Sequence, residues 1–81
     1  MAGMGKFVCN NASAKLIYSA DVKSRIAHIE DFDEDGYEFL YCMNVGDEIT
    51  LHKNGDRLHM LVQTLNDLGQ HIQCQAILLQ P

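Results

Sequence analysis

Several features that mark membrane proteins, secreted proteins and disulfide scaffolds are absent from this 81-residue chain. No apolar run approaches the ~20 residues that a membrane-spanning helix needs, so no membrane association is expected. The N-terminus has neither the basic region nor the apolar stretch of a secretory signal, and a cytoplasmic protein is therefore predicted. The three cysteines, Cys9, Cys42 and Cys74, are odd in number and far apart. We expect them to be reduced and to serve as small core residues.

The motifs of common catalytic and metal sites are absent as well. No serine lies in a GxSxG sequence, and there is no phosphate-binding P-loop. The histidines and cysteines do not form the CxxC or HxxxH pairs that usually hold zinc. The chain is therefore predicted not to be an enzyme and to bind no cofactor and no zinc.

Positive charge is scarce, since six Lys and Arg stand against eleven Asp and Glu, for a formal net charge of -5. None of the six lies between Ile26 and His52, whereas eight of the eleven carboxylates do. Such a negative field opposes binding to a phosphate backbone and attracts positively charged proteins. We predict a small, acidic, non-catalytic protein-interaction or inhibitor module that binds a basic protein partner through an acidic hairpin over residues 30–48. The partner-binding residues are expected to be Glu30, Asp31, Asp33, Glu34, Asp35, Glu38, Tyr37 and Tyr41.

A nucleic-acid-binding surface is the first alternative function. Small β-barrels often bind single strands through basic and aromatic residues on a sheet. Five basic residues outside the acidic segment are the candidates: Lys15, Lys23, Arg25, Lys53 and Arg57.

A divalent-cation site is the second alternative. Asp31, Asp33, Asp35 and Gly36 resemble the first half of an EF-hand calcium loop, in which carboxylates at alternate positions converge on one cation. The resemblance then fails, because the twelfth position, normally a bidentate Glu, is Cys42. This alternative is therefore a weak, non-helical site that uses the three aspartates alone.

The turn residues favour a fold of many short strands. The only proline is the last residue, and Gly, Asn and Asp punctuate the chain at short intervals. Asn54-Gly55 is the preferred pair for a two-residue type I′ hairpin turn, because both positions need φ > 0. This turn pairs Leu51 with Leu58.

A second turn in the same segment is predicted as a five-residue loop over 65–69, which pairs Val62 with Ile72. Both turns place one continuous apolar face on a three-stranded meander over 49–79. The rival is a helix over 57–68, because leucines in this stretch also recur at helical spacing. That alternative would make the fold α+β.

Further strands are predicted upstream of the meander, at 6–9, 14–19, 25–32 and 37–44, although 12–29 also fits a helix. The predicted fold class is all-β, a small antiparallel barrel or meander sandwich of six or seven short strands. One domain over 1–81 is expected, with residues 1–4 disordered or added by cloning.

The end of the last strand indicates a further interface. Gln73 and Gln75 alternate with apolar residues, but Ile77, Leu78 and Leu79 break this alternation. Both faces at the end of the strand are therefore expected to be buried, and in so short a chain the second layer would come from another subunit. We predict a homodimer or a docking surface there, through Ile77 and Leu79.

Overall fold

Six β-strands and one short α-helix make up the fold in the computed structural model. The structure describes residues 5–10, 16–53 and 55–79, and of Asn10, Lys53 and Asp56 it describes the backbone alone. The elements in chain order are β1 Lys6–Asn10, β2 Leu16–Asp21, β3 Ile26–Asp31, α1 Glu34–Tyr41, β4 Glu48–Lys53, β5 Asp56–Asp67 and β6 Ile72–Leu78. Within these described ranges, no helix has the length and apolarity that a membrane crossing requires.

The strands form one mixed sheet in the order β1-β4-β5-β6-β3-β2, which curls into a half-barrel. Neighbouring strands are antiparallel except β1 and β4, which run parallel. A parallel pair needs a long crossover, and the chain between β1 and β4 supplies it through β2, β3 and α1. Of the predicted all-β fold with six or seven short strands, a mainly-β domain with six strands is confirmed. The purely antiparallel arrangement is wrong, and a half-barrel with one short helix stands in place of the predicted barrel or meander sandwich.

The β4–β5 hairpin has the predicted register, with Leu51 paired to Leu58. Gly55 has a φ of 85°, as the second position of a type I′ turn requires. The first position, Asn54, lies outside the described residues. Because β5 is a strand of 12 residues, the alternative helix over 57–68 is wrong.

The register between β5 and β6 differs from the prediction. Val62 pairs with Ala76 rather than Ile72, and the turn covers residues 68–71. A β-bulge after Val62 shifts the register, so that Leu65 packs against the core although it is an odd number of positions away. Strict alternation from Val62 would place Leu65 on the face away from the core. For this reason the predicted loop began at Leu65, before the strand ends in the structure.

The segment predicted as a strand over 37–44 is largely the helix α1. Asp33 is the N-cap: its backbone is extended, and its side chain accepts a hydrogen bond from the backbone N–H of Gly36 at 2.9 Å. Two acidic residues follow in the first turn, where the helix N-terminus carries partial positive charge. The acidic run therefore begins a helix, and the predicted acidic hairpin over 30–48 is wrong.

Helix α1 covers the apolar face of the sheet. Leu40 is 1% exposed, and Met43, just beyond the helix, is 5% exposed. Phe39 packs edge-on against Phe7 of β1, with 6.2 Å between the ring centroids. The helix thus forms the second layer that a single curled sheet of this size needs to bury its core.

Two of the three cysteines lie in this core. Cys9 and Cys74 are buried, as predicted, and burial raises the pKa of the Cys74 thiol to about 11. Cys42 is exposed because it is the C-cap of α1, so its predicted place in the core is wrong.

One carboxylate of the acidic segment is buried. Asp47 is 2% exposed and accepts hydrogen bonds from the backbone N–H groups of Gly5, at 3.0 Å, and Asn44, at 2.7 Å. It thereby joins the start of β1 to the connection between α1 and β4. Asp47 consequently stabilises the fold and adds no charge to the accessible acidic surface.

Candidate functional site

An open cavity of about 480 Å³ lies beside α1, at the end of the sheet where β3 ends and β6 begins. We call it the acidic pocket, because four of its six lining side chains are carboxylates. The lining residues are Asp31, Asp33, Glu34, Tyr37, Glu38 and Gln70. The described residues that line it include no Lys or Arg.

The start of the helix determines which side chains reach the acidic pocket. Glu34, Tyr37 and Glu38 lie three and four positions apart, so they share one face of α1. Gly36 and Leu40 lie on another face of the helix, which packs against the core, and both are buried. The N-cap role of Asp33 sets where the helix begins and therefore which residues face the pocket.

Tyr37 joins the helix to the β5–β6 turn. Its hydroxyl donates a hydrogen bond to the backbone oxygen of Gly69 at 2.7 Å and lies 3.5 Å from the Asp67 carboxylate. Desolvation, and then the charge of Asp67, raise the pKa of Tyr37 above its ordinary value. Its ring stacks on Tyr41, with 5.9 Å between centroids. The tyrosine is thus a neutral hydrogen-bond donor held in place at the wall of the pocket.

His71 forms a bridge between two carboxylates behind the acidic pocket. Its Nε2 lies 2.7 Å from Glu30 Oε1, and its Nδ1 lies 2.7 Å from Asp31 Oδ1. A neutral imidazole has a single N–H to donate, so both contacts together require the protonated ring. The hydrogen bond to Glu30, together with the charge of Asp31, raises the pKa of His71 despite an opposing desolvation. Asp31 also accepts the Ile72 backbone N–H at 2.9 Å.

The eight predicted partner-binding residues divide into two groups. Five of them line the acidic pocket: Asp31, Asp33, Glu34, Tyr37 and Glu38. The other three are placed around it. Glu30 reaches it only through His71, Asp35 is exposed in the first turn of α1, and Tyr41 is 64% exposed beside Tyr37.

Sequence reasoning missed Gln70, His71 and Asp67. They reach the site from the end of β5 and the β5–β6 turn, about forty residues from Glu30 and Asp31 along the chain. No local pattern marks them, and the mispredicted β5–β6 register left this turn in the wrong place. Only a correct pairing of β3 with β6 would have brought them to the site.

The arrangement of the three aspartates does not favour the divalent-cation alternative. The Asp33 side chain caps the helix, and Asp31 is engaged by His71 and Ile72. Asp35 belongs to the first helical turn. Across the described residues, no group of three or more His, Cys, Asp or Glu side chains is placed to hold a metal ion. The resemblance to half an EF-hand loop is therefore a helix N-terminus here.

Three of the five basic residues of the nucleic-acid alternative, Lys23, Arg25 and Arg57, lie at the other end of the sheet. Lys23 and Arg25 are exposed in the β2–β3 turn, and Arg57 is exposed near the start of β5. The strand registers place the β2–β3 turn and the start of β5 at the end of the sheet away from the acidic pocket. Lys15 lies outside the described residues, and only the backbone of Lys53 is described.

Comparison with known protein families, with curated proteins and with solved structures found no match for this chain.

Proposed function

We propose that this protein is a non-catalytic interaction or inhibitor module whose acidic pocket receives a Lys or Arg side chain of a basic protein partner. The observation that carries the proposal is the gathering of four carboxylates and one tyrosine around a single cavity of about 480 Å³. A flat acidic surface attracts cations without selecting them, whereas a cavity lined by carboxylates can enclose one cationic group.

The chemistry of the acidic pocket suits a guanidinium or an ammonium group. Glu34 and Glu38 are four positions apart on α1, so their carboxylates can contact the same cation. A guanidinium can bond a carboxylate through two parallel N–H donors, which adds geometric specificity. The Tyr37 ring offers a face for a cation–π contact of about 0.5–1 kcal/mol at such an exposed site.

Parts of the acidic pocket are held in place before any partner binds. The Asp33 side chain is fixed by the Gly36 N–H, and Tyr37 is fixed by Gly69. Side chains that are already ordered lose less conformational entropy on binding, so more of the contact energy contributes to affinity. We also propose a cytoplasmic location, where the thiols of the chain would stay reduced.

The test compares two charge reversals of equal size. Glu38→Lys changes the acidic pocket, and Asp21→Lys changes the exposed carboxylate at the opposite end of the β2–β3 pair. The two ends of that pair are five residues, or about 17 Å, apart. The probe is a fluorescent oligo-arginine peptide, with anisotropy as the readout and circular dichroism as the check of folding.

We expect Glu38→Lys to weaken peptide binding by at least about 5-fold and Asp21→Lys to weaken it by less than about 2-fold, because exposed ion pairs contribute about 0.2–1 kcal/mol each and a reversal adds repulsion. Equal losses in the two variants would mean that net charge alone attracts the peptide, and the proposal would then be wrong.

A nucleic-acid-binding surface is the second candidate function. The observation in its favour is that Lys23, Arg25 and Arg57 all lie at one end of the sheet, away from the acidic pocket. The same anisotropy assay with a labelled single-stranded oligonucleotide tests it. Binding that is lost in Arg57→Glu and retained in Glu38→Lys would place this candidate first.

A further inference from the structure

The ring of His71 joins a carboxylate of the acidic pocket to the carboxylate of Glu30. Its Nδ1 lies 2.7 Å from Asp31 Oδ1, and its Nε2 lies 2.7 Å from Glu30 Oε1. Asp31 lines the acidic pocket, and the His71 side chain is 39% exposed, so the solvent can exchange protons with the ring. The protonation of His71 therefore adds or removes one positive charge directly beside a carboxylate of the pocket.

One oxygen of the Asp31 carboxylate is left for a bound cation. The His71 Nδ1 and the Ile72 backbone N–H both contact Oδ1. No donor among the described residues contacts Oδ2. An ammonium or guanidinium group in the acidic pocket can bind Oδ2 at about 2.8 Å while the ring stays on Oδ1. The cation and a protonated His71 would then lie only about 6 Å apart, across one carboxylate, and would repel each other.

The other groups around this bridge leave His71 as the group that titrates near neutral pH. Helix α1 and the end of β5 contribute carboxylates and a phenol, which are Glu34, Glu38, Asp67 and Tyr37. The strand residues paired with Glu30 and Asp31 are uncharged: Leu16 and Ile17 of β2 and Gln73 of β6. A second imidazole, His28, is exposed two positions before Glu30 on β3. Imidazole ordinarily changes charge between about pH 5 and 8, and His71 is the only one among the described residues that contacts a carboxylate of the pocket.

We propose that His71 makes binding in the acidic pocket pH-dependent, so that the pocket binds a cationic side chain more tightly once the ring has lost its proton. This inference rests on the proposed function of the pocket and adds a means of regulating it. The protonated ring donates to both carboxylates, whereas the neutral ring has a single N–H and must give up Glu30 or Asp31. Loss of the proton therefore removes a repulsive charge from the edge of the pocket and releases one of the two carboxylates.

The direction of the effect follows from thermodynamic linkage. The hydrogen bond to Glu30, together with the charge of Asp31 and despite an opposing desolvation, raises the pKa of His71 above its ordinary value of 6.5. A bound cation opposes protonation of the ring and must therefore lower this pKa. By reciprocity, loss of the proton must tighten cation binding by the same factor. The pocket thus binds a basic partner more weakly in acid and more tightly above neutral pH.

Peptide binding measured against pH tests the inference. The probe is an N-acetylated, fluorescent oligo-arginine peptide, because guanidinium groups stay charged throughout the range from about pH 6 to about pH 8.5. Anisotropy is recorded at about 0.15 M salt, where exposed charges more than about 8 Å apart are largely screened. We expect the affinity of the wild type to rise by about 3- to 10-fold over this range, which corresponds to the repulsion of two unit charges about 6 Å apart near a protein surface.

Two neutral substitutions separate His71 from the other imidazoles. His71→Gln removes the charge beside Asp31, and its affinity should change by less than about 2-fold over the same range. His59→Gln is the matched control, since His59 also contacts a carboxylate, that of Glu48, at 2.7 Å. Position 59 is eight residues from the end of β5 at Asp67, or about 26 Å along the strand, so this variant should keep the pH dependence of the wild type.

NMR of the wild type gives a second measurement that needs no variant. The ring signals of His71 report its pKa, and saturating peptide should lower that pKa by the logarithm of the factor measured by anisotropy. A pKa of His71 that the bound peptide leaves unchanged would overturn the inference.

The charge reversal Glu38→Lys distinguishes two ways in which the experiment can fail. If this variant binds the peptide as tightly as the wild type, the proposed function is wrong and the inference falls with it. If Glu38→Lys weakens binding as expected, but the wild type and folded His71→Gln show the same pH dependence, the inference alone is wrong. Circular dichroism at each pH establishes that the variants are folded.

Discussion

The buried carboxylate of Asp47 gives the sharpest test of the fold. Its Oδ1 accepts the Gly5 N–H, and its Oδ2 accepts the Asn44 N–H. The backbone of the same residue donates to the Asn44 oxygen at 3.0 Å and accepts from the Val62 N–H at 2.8 Å. One residue thus holds together the start of β1, the α1–β4 connection and β5. We choose the isosteric change Asp47→Asn, which alters the side-chain bonds and leaves the volume nearly constant.

The expected loss follows from the hydrogen bonds. A bond to a charged acceptor contributes about 1.5–3 kcal/mol, and a buried donor left without a partner costs about 1–3 kcal/mol. Asparagine keeps one oxygen but turns an NH₂ group toward the second backbone N–H. We therefore expect Asp47→Asn to lower the free energy of unfolding by about 2–4 kcal/mol. A domain of this length has only about 4–12 kcal/mol in total, so the loss is a large fraction of the stability.

The assay is urea unfolding followed by circular dichroism, with Glu38→Gln as the control. That change also replaces a carboxylate by an amide, but on an exposed side chain of α1, and it should stay within about 0.5 kcal/mol of the wild type. Equal midpoints for wild type and Asp47→Asn would refute the reasoning, because the two backbone N–H groups would then be satisfied without the carboxylate.

Three further predictions concern the histidine bridge, the helix and the thiols. Wild type should be more stable than His71→Gln below pH 6.5, the ordinary pKa of histidine, and this advantage should vanish as the pH rises through the higher pKa of folded His71. The measurement is the urea midpoint of each protein as a function of pH. A difference between the two midpoints that grows toward alkaline pH would contradict the prediction. Leu40→Ala should lower the free energy of unfolding by about 2–5 kcal/mol, because Leu40 fastens α1 to the sheet; a loss below about 1 kcal/mol in urea unfolding would mean that the helix is not packed there. In the native protein Cys42 alone should react quickly with a thiol reagent. Cys74, whose pKa is raised to about 11, and the buried Cys9 should react only after unfolding. Mass spectrometry counts the labelled thiols, and rapid labelling of more than one would show that the core is open.

The β4–β5 hairpin was predictable from the sequence because its determinants are local. Asn54-Gly55 specifies a two-residue turn, and a turn of that length leaves one register for the residues on either side. Leu51 and Leu58 then fall on the same face, and the structure pairs them. Agreement between turn chemistry and apolar alternation is strong when both act within ten residues.

The β5–β6 register was not predictable in the same way. The β-bulge after Val62 changes the face on which later side chains lie, and the sequence around Gln63 contains neither glycine nor proline to mark it. The bulge is stabilised by a tertiary contact, since it places Leu65 on the core face of the sheet. A benefit of this kind depends on packing against distant strands, which local patterns do not record.

The helix α1 lies between these cases. Tyr37, Phe39 and Tyr41 have high strand propensity, and this favoured a strand. The opposing pattern was present in the sequence, because Asp33 is a preferred N-cap and two acidic residues follow it. Tertiary context agrees with the helix, since α1 lies against β3 and β6 and buries Leu40 in the core. Five of the eight predicted residues do line one pocket, but they lie at a strand end and a helix N-terminus and not on a hairpin.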